Sequence, residues 1–137
     1  MNYLIDTNVI CELVKTKQST HVLKWFNSIE SQKLYLSVLT IGEIRKGLEK
    51  ITDIRRKDKI RIWLDQELES WFKGRILPID QQVANKWGLL QAMQNKTLPA
   101  IDSLIAATAL HFDLILVTRN IKDFNHCNLE VIDPFSL

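Results

Sequence analysis

Four acidic residues lie close to the ends of predicted strands, and their side chains have the chemistry of a metal site. Asp6 follows the predicted strand Asn2–Ile5, Glu43 lies in the first turn of a predicted helix, Asp102 opens a second helix, and Asp123 follows a later strand. Ligands of parallel sheets bind beyond the carboxyl ends of the strands, so we expect these side chains at one edge. Oxygen ligands without histidine or cysteine suit Mg²⁺ or Mn²⁺, which support phosphoryl chemistry.

Each acid also has a structural interpretation. Asp6 is a candidate cap for the helix after it, and Asp102 is a candidate N-cap of the helix that it precedes. Thr40 and Glu43 have the spacing of a capping box, and Asp123 has the composition of a turn. The four together favour a metal site, because partly buried carboxylates that crowd one another resist ionisation unless a cation neutralises them.

The elements that must position these acids alternate along the chain. Short apolar runs predict five strands, at Asn2–Ile5, Leu34–Ser37, Ile76–Ile79, Leu114–Thr118 and Leu129–Ile132. Apolar residues at helical spacing predict helices at Cys11–Lys15, Val22–Ile29, Thr40–Ile51, Arg56–Lys73, Gln82–Gln94 and Ser103–His111. Strands separated by helices pair in parallel, so the fold class is α/β, a single α/β/α sandwich around a parallel five-stranded sheet. We expect residues 1–137 to form one domain.

Composition is that of an ordinary folded protein, with 46% hydrophobic and 25% charged residues among 137. The net charge of +2 says little about partners. Cys11 and Cys127 lie far apart and form no CxxC pair, the N-terminus does not resemble a signal peptide, and no apolar run is long enough to span a bilayer. These features predict a cytoplasmic protein.

Short motifs in a fixed order give the chain a family resemblance. They are Asp6-Thr7-Asn8 after the first strand, Ser37…Thr40…Glu43 entering a helix, Asp102 before an alanine-rich helix, and Thr118-Arg119-Asn120…Asp123-Phe124 after the fourth strand. In these motifs, which together span essentially the whole chain, the sequence resembles the PIN-domain ribonucleases, and specifically the VapC-like toxins of bacterial type II toxin–antitoxin systems.

The resemblance implies a role for each matched residue. Asp6, Glu43, Asp102 and Asp123 would be the catalytic metal ligands for Mg²⁺ or Mn²⁺, and Thr7 and Thr118 would support them. Asn120 stands where many relatives have another acid, which implies one firmly held ion and a second that arrives with the RNA phosphate.

The implied activity is that of an endoribonuclease, which hydrolyses RNA phosphodiesters by in-line attack of water and leaves 5′-phosphate and 3′-hydroxyl ends. This reaction needs no histidine base, and the three histidines, His21, His111 and His126, form no motif.

The resemblance also implies partners. VapC-like toxins bind a cognate antitoxin protein and are commonly homodimers, so we expect both here, with the antitoxin across the helical segments near Trp25 and Arg56–Lys73. Arg119 and Arg45 are candidate RNA contacts, whereas the basic run Arg55–Arg61 is more typical of a solvated helix face. The four tryptophans lie on apolar helix stripes and are expected to pack in the core or an interface.

One alternative remains at this stage, and two others lack residues that they need. A catalytically inactive PIN-like module that binds RNA or protein would keep the fold without the reaction. A receiver domain would need a lysine after the fifth strand, where Asp133 and Pro134 stand. A haloacid-type phosphatase would need an aspartate at position 8, which is Asn8.

Overall fold

The computed structural model describes residues 1–125 and 128–137; His126 and Cys127 lie outside the described residues. Five parallel strands form one sheet in the order β3-β2-β1-β4-β5. The strands are β1 (Tyr3–Ile5), β2 (Leu34–Ser37), β3 (Ile76–Leu77), β4 (Ile115–Val117) and β5 (Val131–Ile132). The predicted strands and their parallel pairing are therefore confirmed, although four of the five are shorter than their apolar runs.

Seven α-helices connect the strands of the described chain. They are α1 (Thr7–Ile10), α2 (Thr20–Ser28), α3 (Val38–Glu49), α4 (Ile54–Ile62), α5 (Glu69–Trp71), α6 (Gln81–Ala92) and α7 (Ala100–His111). A π-helical stretch, Trp63–Leu68, joins α4 to α5, and short 3₁₀ turns occupy Cys11–Val14, Ser31–Lys33 and Ile121–Phe124.

The sheet is covered on both faces, as the alternation of its buried residues shows. Leu4 and Leu116 pack with Leu90 and Ile105 from α6 and α7, whereas their neighbours Ile5 and Val117 pack in the cluster that holds residues of α2, α3 and α4. Successive strand residues point to opposite faces of a sheet, so the two clusters are its two sides. The predicted α/β/α layering is confirmed.

Helix starts are where the sequence-based boundaries were wrong. The first helix begins at Thr7 rather than Cys11, because Asp6 caps it by accepting a hydrogen bond from the Thr7 amide. The third begins at Val38, since the Ser37 hydroxyl accepts from the Leu39 amide and is the true N-cap. Thr40 therefore lies inside α3 and forms no capping box with Glu43.

The start of α7 corrects a second capping interpretation. The helix begins at Ala100, with Pro99 at the N-cap position, so Asp102 lies within the first turn and is not the N-cap.

Among the described residues, no helix combines the length and the apolar character that crossing a membrane requires.

Candidate metal and nuclease site

Asp6 is the most deeply buried of the four acids, with 7% of its surface exposed at the end of β1. The Thr118 hydroxyl, at the end of the neighbouring strand β4, donates to Asp6 Oδ2 at 2.8 Å, and the Thr7 amide donates to Oδ1 at 2.8 Å. The side chain amide of Asn8 lies 3.4 Å from the same Oδ2. The Asp6 carboxylate therefore caps α1 and is also held in place by the Thr118 hydroxyl. Its role as a helix cap does not exclude a further role in binding a ligand.

Burial raises the pKa of Asp6 above its ordinary value of 3.8, and the nearby charges of Glu43 and Asp102 raise it further. The hydrogen bonds from Thr118 and Thr7 act in the opposite direction but do not cancel the effect. Asp6 is thus a buried acid whose charged form lacks sufficient compensation within the protein.

Glu43 reaches this site from α3, where it lies one turn later than its sequence-based placement in the first turn. The Thr7 hydroxyl donates to Glu43 Oε1 at 2.6 Å, and the buried Thr40 hydroxyl lies 3.2 Å from that of Thr7. Thr7 therefore connects the strand carrying Asp6 to the helix carrying Glu43. Glu43 therefore contacts Thr7 and does not bond back to the backbone of Thr40 as a capping box would require.

Asp102 and Asp123 approach from the other side of the sheet edge. Asp102 is half-buried in the first turn of α7, and Asp123 is exposed in the 3₁₀ turn Ile121–Phe124 that follows β4. Burial raises the pKa of Asp102 above 3.8, with further contributions from the charges of Asp123 and then Glu43.

The four predicted acids are thus electrostatic neighbours: the charges of Glu43 and Asp102 raise the pKa of Asp6, and the charges of Asp123 and Glu43 raise the pKa of Asp102. None of the ion pairs among the described residues involves any of the four. Within the same residues, no three acid, histidine or cysteine side chains already form a metal-ligating group. The donor set nevertheless fits a hard divalent cation, because its ligand atoms are all oxygen and none of the four carboxylates is neutralised in an ion pair among the described residues.

Cys11 lies close to these acids without joining their chemistry. Burial raises the pKa of its thiol to about 11, and the charges of Glu43 and Asp6 add to the shift. The thiol therefore stays protonated near neutral pH, and protonated thiols are not metal ligands.

A hydrogen-bonded network of uncharged side chains supports the site, and part of it was missed by sequence reasoning. The Asn8 amide donates to Thr118 Oγ1 at 3.2 Å and its carbonyl oxygen accepts from the Arg119 amide at 3.1 Å. The backbone amide of Asn120 also donates to Thr118 Oγ1, at 3.1 Å. Asn8 thus ties the ends of β1 and β4 together, and the signal that could have identified it is an asparagine two residues after an acid at a strand end.

The basic residues that the sequence singles out differ in their distance from the site and in their partners. The Arg119 guanidinium lies 4.4 Å from the centre of the Phe135 ring, next to the end of β4. Arg45 forms an ion pair with Asp65, which neutralises its charge. The run Arg55–Arg61 lies on α4, where Arg61 pairs with Asp58.

Aromatic residues and histidines outside the site are already engaged. Trp25 is buried, Trp63 and Trp71 pack against the same core cluster, and the Trp87 indole donates to the Ser103 hydroxyl at 2.9 Å. His21 Nδ1 lies 2.5 Å from the Leu137 carbonyl oxygen, and His111 packs edge-on against Phe112.

One further buried acid, Glu12, is not part of the cluster. It is 4% exposed, accepts from the Ser19 amide at 2.8 Å and pairs with Lys15 at 3.0 Å. Desolvation opposes its charge, but the hydrogen bonds from Lys15 and Ser19 outweigh this and lower its pKa below 4.5. Glu12 is therefore a compensated structural acid.

Comparisons with known proteins agree with this geometry. The chain is 32% identical over 135 residues to "Toxin FitB" of Neisseria gonorrhoeae, covering 96% of this chain and 97% of that protein. It is also 32% identical over 135 residues to "VapC ribonuclease Y4jK" of Sinorhizobium fredii, covering 96% of each. The crystal structure of FitAcB from Neisseria gonorrhoeae superposes with a TM-score of 0.92 at 32% identity, covering 98% of this chain and 99% of that one.

More distant structures share the fold alone. The DNA-bound VapBC of Salmonella typhimurium matches with a TM-score of 0.80 at 23% identity, over 98% of each chain. The family model described as "PIN domain" matches residues 3–127, a stretch that contains β1 to β4 and all four acids. The chain belongs to the PIN domain family.

Proposed function

We propose that this protein is a metal-dependent endoribonuclease and the toxin of a toxin–antitoxin pair. The observation that carries the proposal is the set of four neighbouring carboxylates, Asp6, Glu43, Asp102 and Asp123, none of which forms an ion pair among the described residues. The names of the relatives support the same activity, since one is called a toxin and another a VapC ribonuclease.

In this proposal the four carboxylates hold Mg²⁺ or Mn²⁺, one ion firmly and a second together with the RNA phosphate. When bound, such ions neutralise phosphate charge and make a hydroxide nucleophile available near neutral pH. The side chains do the positioning: Thr118 fixes one oxygen of Asp6, and Thr7 fixes one oxygen of Glu43. Both bonds keep carboxylate oxygens oriented in the absence of RNA, which reduces the reorganisation needed on binding.

Proton transfer by histidine is not part of the proposed reaction. His21 and His111 are engaged with Leu137 and Phe112, away from the four acids. The products expected are therefore 5′-phosphate and 3′-hydroxyl ends rather than the 2′,3′-cyclic phosphates of histidine-based cleavage.

The test is an RNA cleavage assay on purified protein with total bacterial RNA. We expect cleavage with Mg²⁺ or Mn²⁺, loss of cleavage with EDTA, and products that carry a 5′-phosphate. Cleavage that survives EDTA and yields cyclic ends would contradict the mechanism. RNA binding without cleavage under any metal condition would instead support an inactive PIN-like binding module.

The proposed partner is a cognate antitoxin. A solved structure that this chain resembles at 27% identity, with a TM-score of 0.72, is named "Toxin-antitoxin complex from Klebsiella pneumoniae". We further propose that residues 1–137 form a single domain and that the protein is a homodimer. Its proposed location is the cytoplasm, where RNA is accessible. Co-expression with the neighbouring open reading frame and co-purification tests the partner directly.

A further inference from the structure

A cavity of about 700 Å³ adjoins two of the four acids. Its walls are the loop of residues 94–99 between α6 and α7 on one side and the residues Lys122, Asp123 and Asn125 on the other, with Asp102 at its edge. This volume is within the range of small-ligand sites, roughly 300–1,000 Å³. The proposed reaction uses Asp102 and Asp123 but leaves the rest of this cavity without a role.

The loop that forms one wall is held firmly at its base. The Gln91 side chain accepts from the Leu98 amide at 2.9 Å and donates to the Leu98 carbonyl at 3.1 Å. The Ser103 hydroxyl donates to the Pro99 carbonyl at 2.6 Å, and Leu98 itself is buried. Hydrogen bonds within the protein therefore hold the backbone of this wall in the absence of a ligand. Asn95, Lys96 and Thr97 on the same loop are exposed.

Two lysines flank the acids at this cavity. Lys96 and Lys122 are both exposed lining residues, and neither takes part in an ion pair among the described residues. A polyanion that approaches four carboxylates is repelled unless cations stand beside its path. Lysines on opposite walls offer this attraction to the phosphates on either side of a bound nucleotide.

We propose that this cavity binds one unpaired nucleotide of the RNA next to the phosphate that is cut. Lys96 and Lys122 contact the flanking phosphates, and the side chains of Asn95 and Thr97 meet the edge of the base. A cavity of about 700 Å³ has room for a base turned out from its neighbours, and sequence-specific RNA recognition is made mostly on such unpaired bases. The inference rests on the proposed ribonuclease function and adds the residues that bind the nucleotide next to the cut phosphate.

The first test measures binding without cleavage. A labelled single-stranded RNA of random sequence, about 12 nucleotides long, is titrated with the protein in EDTA, and the affinity is followed by fluorescence anisotropy at several salt concentrations. The double variant Lys96→Ala/Lys122→Ala should lower the slope of log affinity against log salt by about 1.4, because each phosphate contact to a single strand contributes about 0.7.

The matched control is Lys50→Ala/Lys73→Ala, which removes two exposed lysines from the end of α3 and from the segment before β3. It should leave the slope at the wild-type value. Equal slopes in the two double variants would overturn the proposal. All four lysines are exposed, so both variants should keep the wild-type melting temperature, and circular dichroism checks this.

A second measurement tests the base and the single strand. Asn95→Ala should narrow the differences in affinity among poly(A), poly(C), poly(G) and poly(U) while keeping the wild-type salt slope. A perfect duplex of the same length should compete less well than the single strand. An unchanged ranking of the homopolymers, or equal competition by the duplex, contradicts a cavity for an unpaired base.

Cleavage measured in parallel separates this inference from the function on which it rests. A wild type that cuts RNA with Mn²⁺ but shows no dependence on Lys96 and Lys122 refutes the cavity alone. A wild type that binds RNA through the two lysines yet cuts none refutes the ribonuclease proposal and leaves the nucleotide site standing.

Discussion

Two buried carboxylates in the first part of the chain have opposite electrostatic environments. Asp6 and Glu12 are 7% and 4% exposed, and each accepts a backbone hydrogen bond at 2.8 Å. Yet the pKa of Asp6 is raised, by burial first and then by Glu43 and Asp102, while the hydrogen bonds to Glu12 lower its pKa despite desolvation. The difference lies in the neighbours: Glu12 faces Lys15, and Asp6 faces acids.

This contrast shows how a functional acid is told from a structural one. A buried acid with its own cation is complete within the protein, and its charge stabilises the fold. A buried acid among other acids opposes the fold until something from outside supplies positive charge. We therefore propose that Glu12 contributes to stability and that Asp6 contributes to metal binding, and each proposal can be tested by removing the charge.

The largest expected effect is the loss of RNA cleavage in Asp6→Asn. The amide keeps the size of the side chain but removes the charge that a divalent ion needs, so cleavage should fall below detection. The free energy of unfolding without metal should stay equal to that of the wild type or rise, because the replaced charge faced other acids. Urea unfolding and gel-based cleavage measure the two quantities.

The matched control for this variant is Asp53→Asn, which neutralises an exposed aspartate that caps α4. Asparagine caps helices as well as aspartate does, so cleavage and stability should both persist. A large loss of metal-free stability in Asp6→Asn, with Asp53→Asn unaffected, would mean that Asp6 is chiefly a structural cap.

A smaller effect, on Mn²⁺ affinity, is expected when the hydroxyl that holds the Asp6 carboxylate is removed. Thr118→Val keeps the shape of a fully buried side chain but deletes the hydroxyl that donates to Asp6 Oδ2. Mn²⁺ affinity should fall by about 10- to 100-fold, the usual effect of losing a group that orients a metal ligand. Thr108→Val, which deletes a buried hydroxyl bonded to the Leu104 carbonyl, is the control and should leave Mn²⁺ affinity unchanged.

On the structural side of the comparison, Glu12→Gln should reduce stability without affecting the reaction. The variant weakens a charge-assisted bond to the Ser19 amide and removes the pair with the exposed Lys15, a loss of about 1–2 kcal/mol in the free energy of unfolding. RNA cleavage per folded molecule should match the wild type. Loss of cleavage at full stability would place Glu12 in the site after all.

The smallest effect is on the pH dependence of metal-free stability. The raised pKa values of Asp6 and Asp102 mean that the folded state binds protons more tightly than the unfolded one, so their contribution is most favourable at acid pH. It declines as pH rises from the ordinary value of 3.8 through the raised pKa values. Glu12 has the reverse sign, since its stabilisation is complete above 4.5 and lost as pH falls through its lowered pKa.

Urea unfolding midpoints of the metal-free protein across this pH range measure the summed contributions of these carboxyl groups to stability. The same measurement on the variants separates the contribution of each group. Asp6→Asn should show a weaker decline toward neutral pH than the wild type. Parallel curves for the two proteins would indicate that the Asp6 carboxyl titrates alike in the folded and unfolded states.

Much of the architecture could be predicted from the sequence because apolar periodicity directly encodes it. The runs around Leu34–Ser37 and Leu114–Thr118 are strands at or near their predicted bounds, and the parallel order follows from the helices between them. Strand direction alone predicts that the four acids lie near one edge of the sheet, and the effects of Glu43, Asp102 and Asp123 on neighbouring pKa values are consistent with that prediction.

Helix starts and side-chain partners could not be predicted in the same way. Ser37, Thr40 and Glu43 offer two capping schemes that the local sequence does not distinguish; in the structure Ser37 caps the helix and Thr40 is buried beside Thr7. The bond of Asn8 to Thr118 depends on which strands lie side by side, which a local pattern does not specify.

The central claim, that the acids form a metal site, is tested most directly by calorimetric titration of Mn²⁺ into the wild type, Asp6→Asn and Glu12→Gln. We expect the wild type and Glu12→Gln to bind Mn²⁺ with the same affinity and Asp6→Asn to show no specific binding. Equal binding by all three proteins, or the loss of binding in Glu12→Gln alone, would contradict the assignment of Asp6 to the metal and Glu12 to the fold.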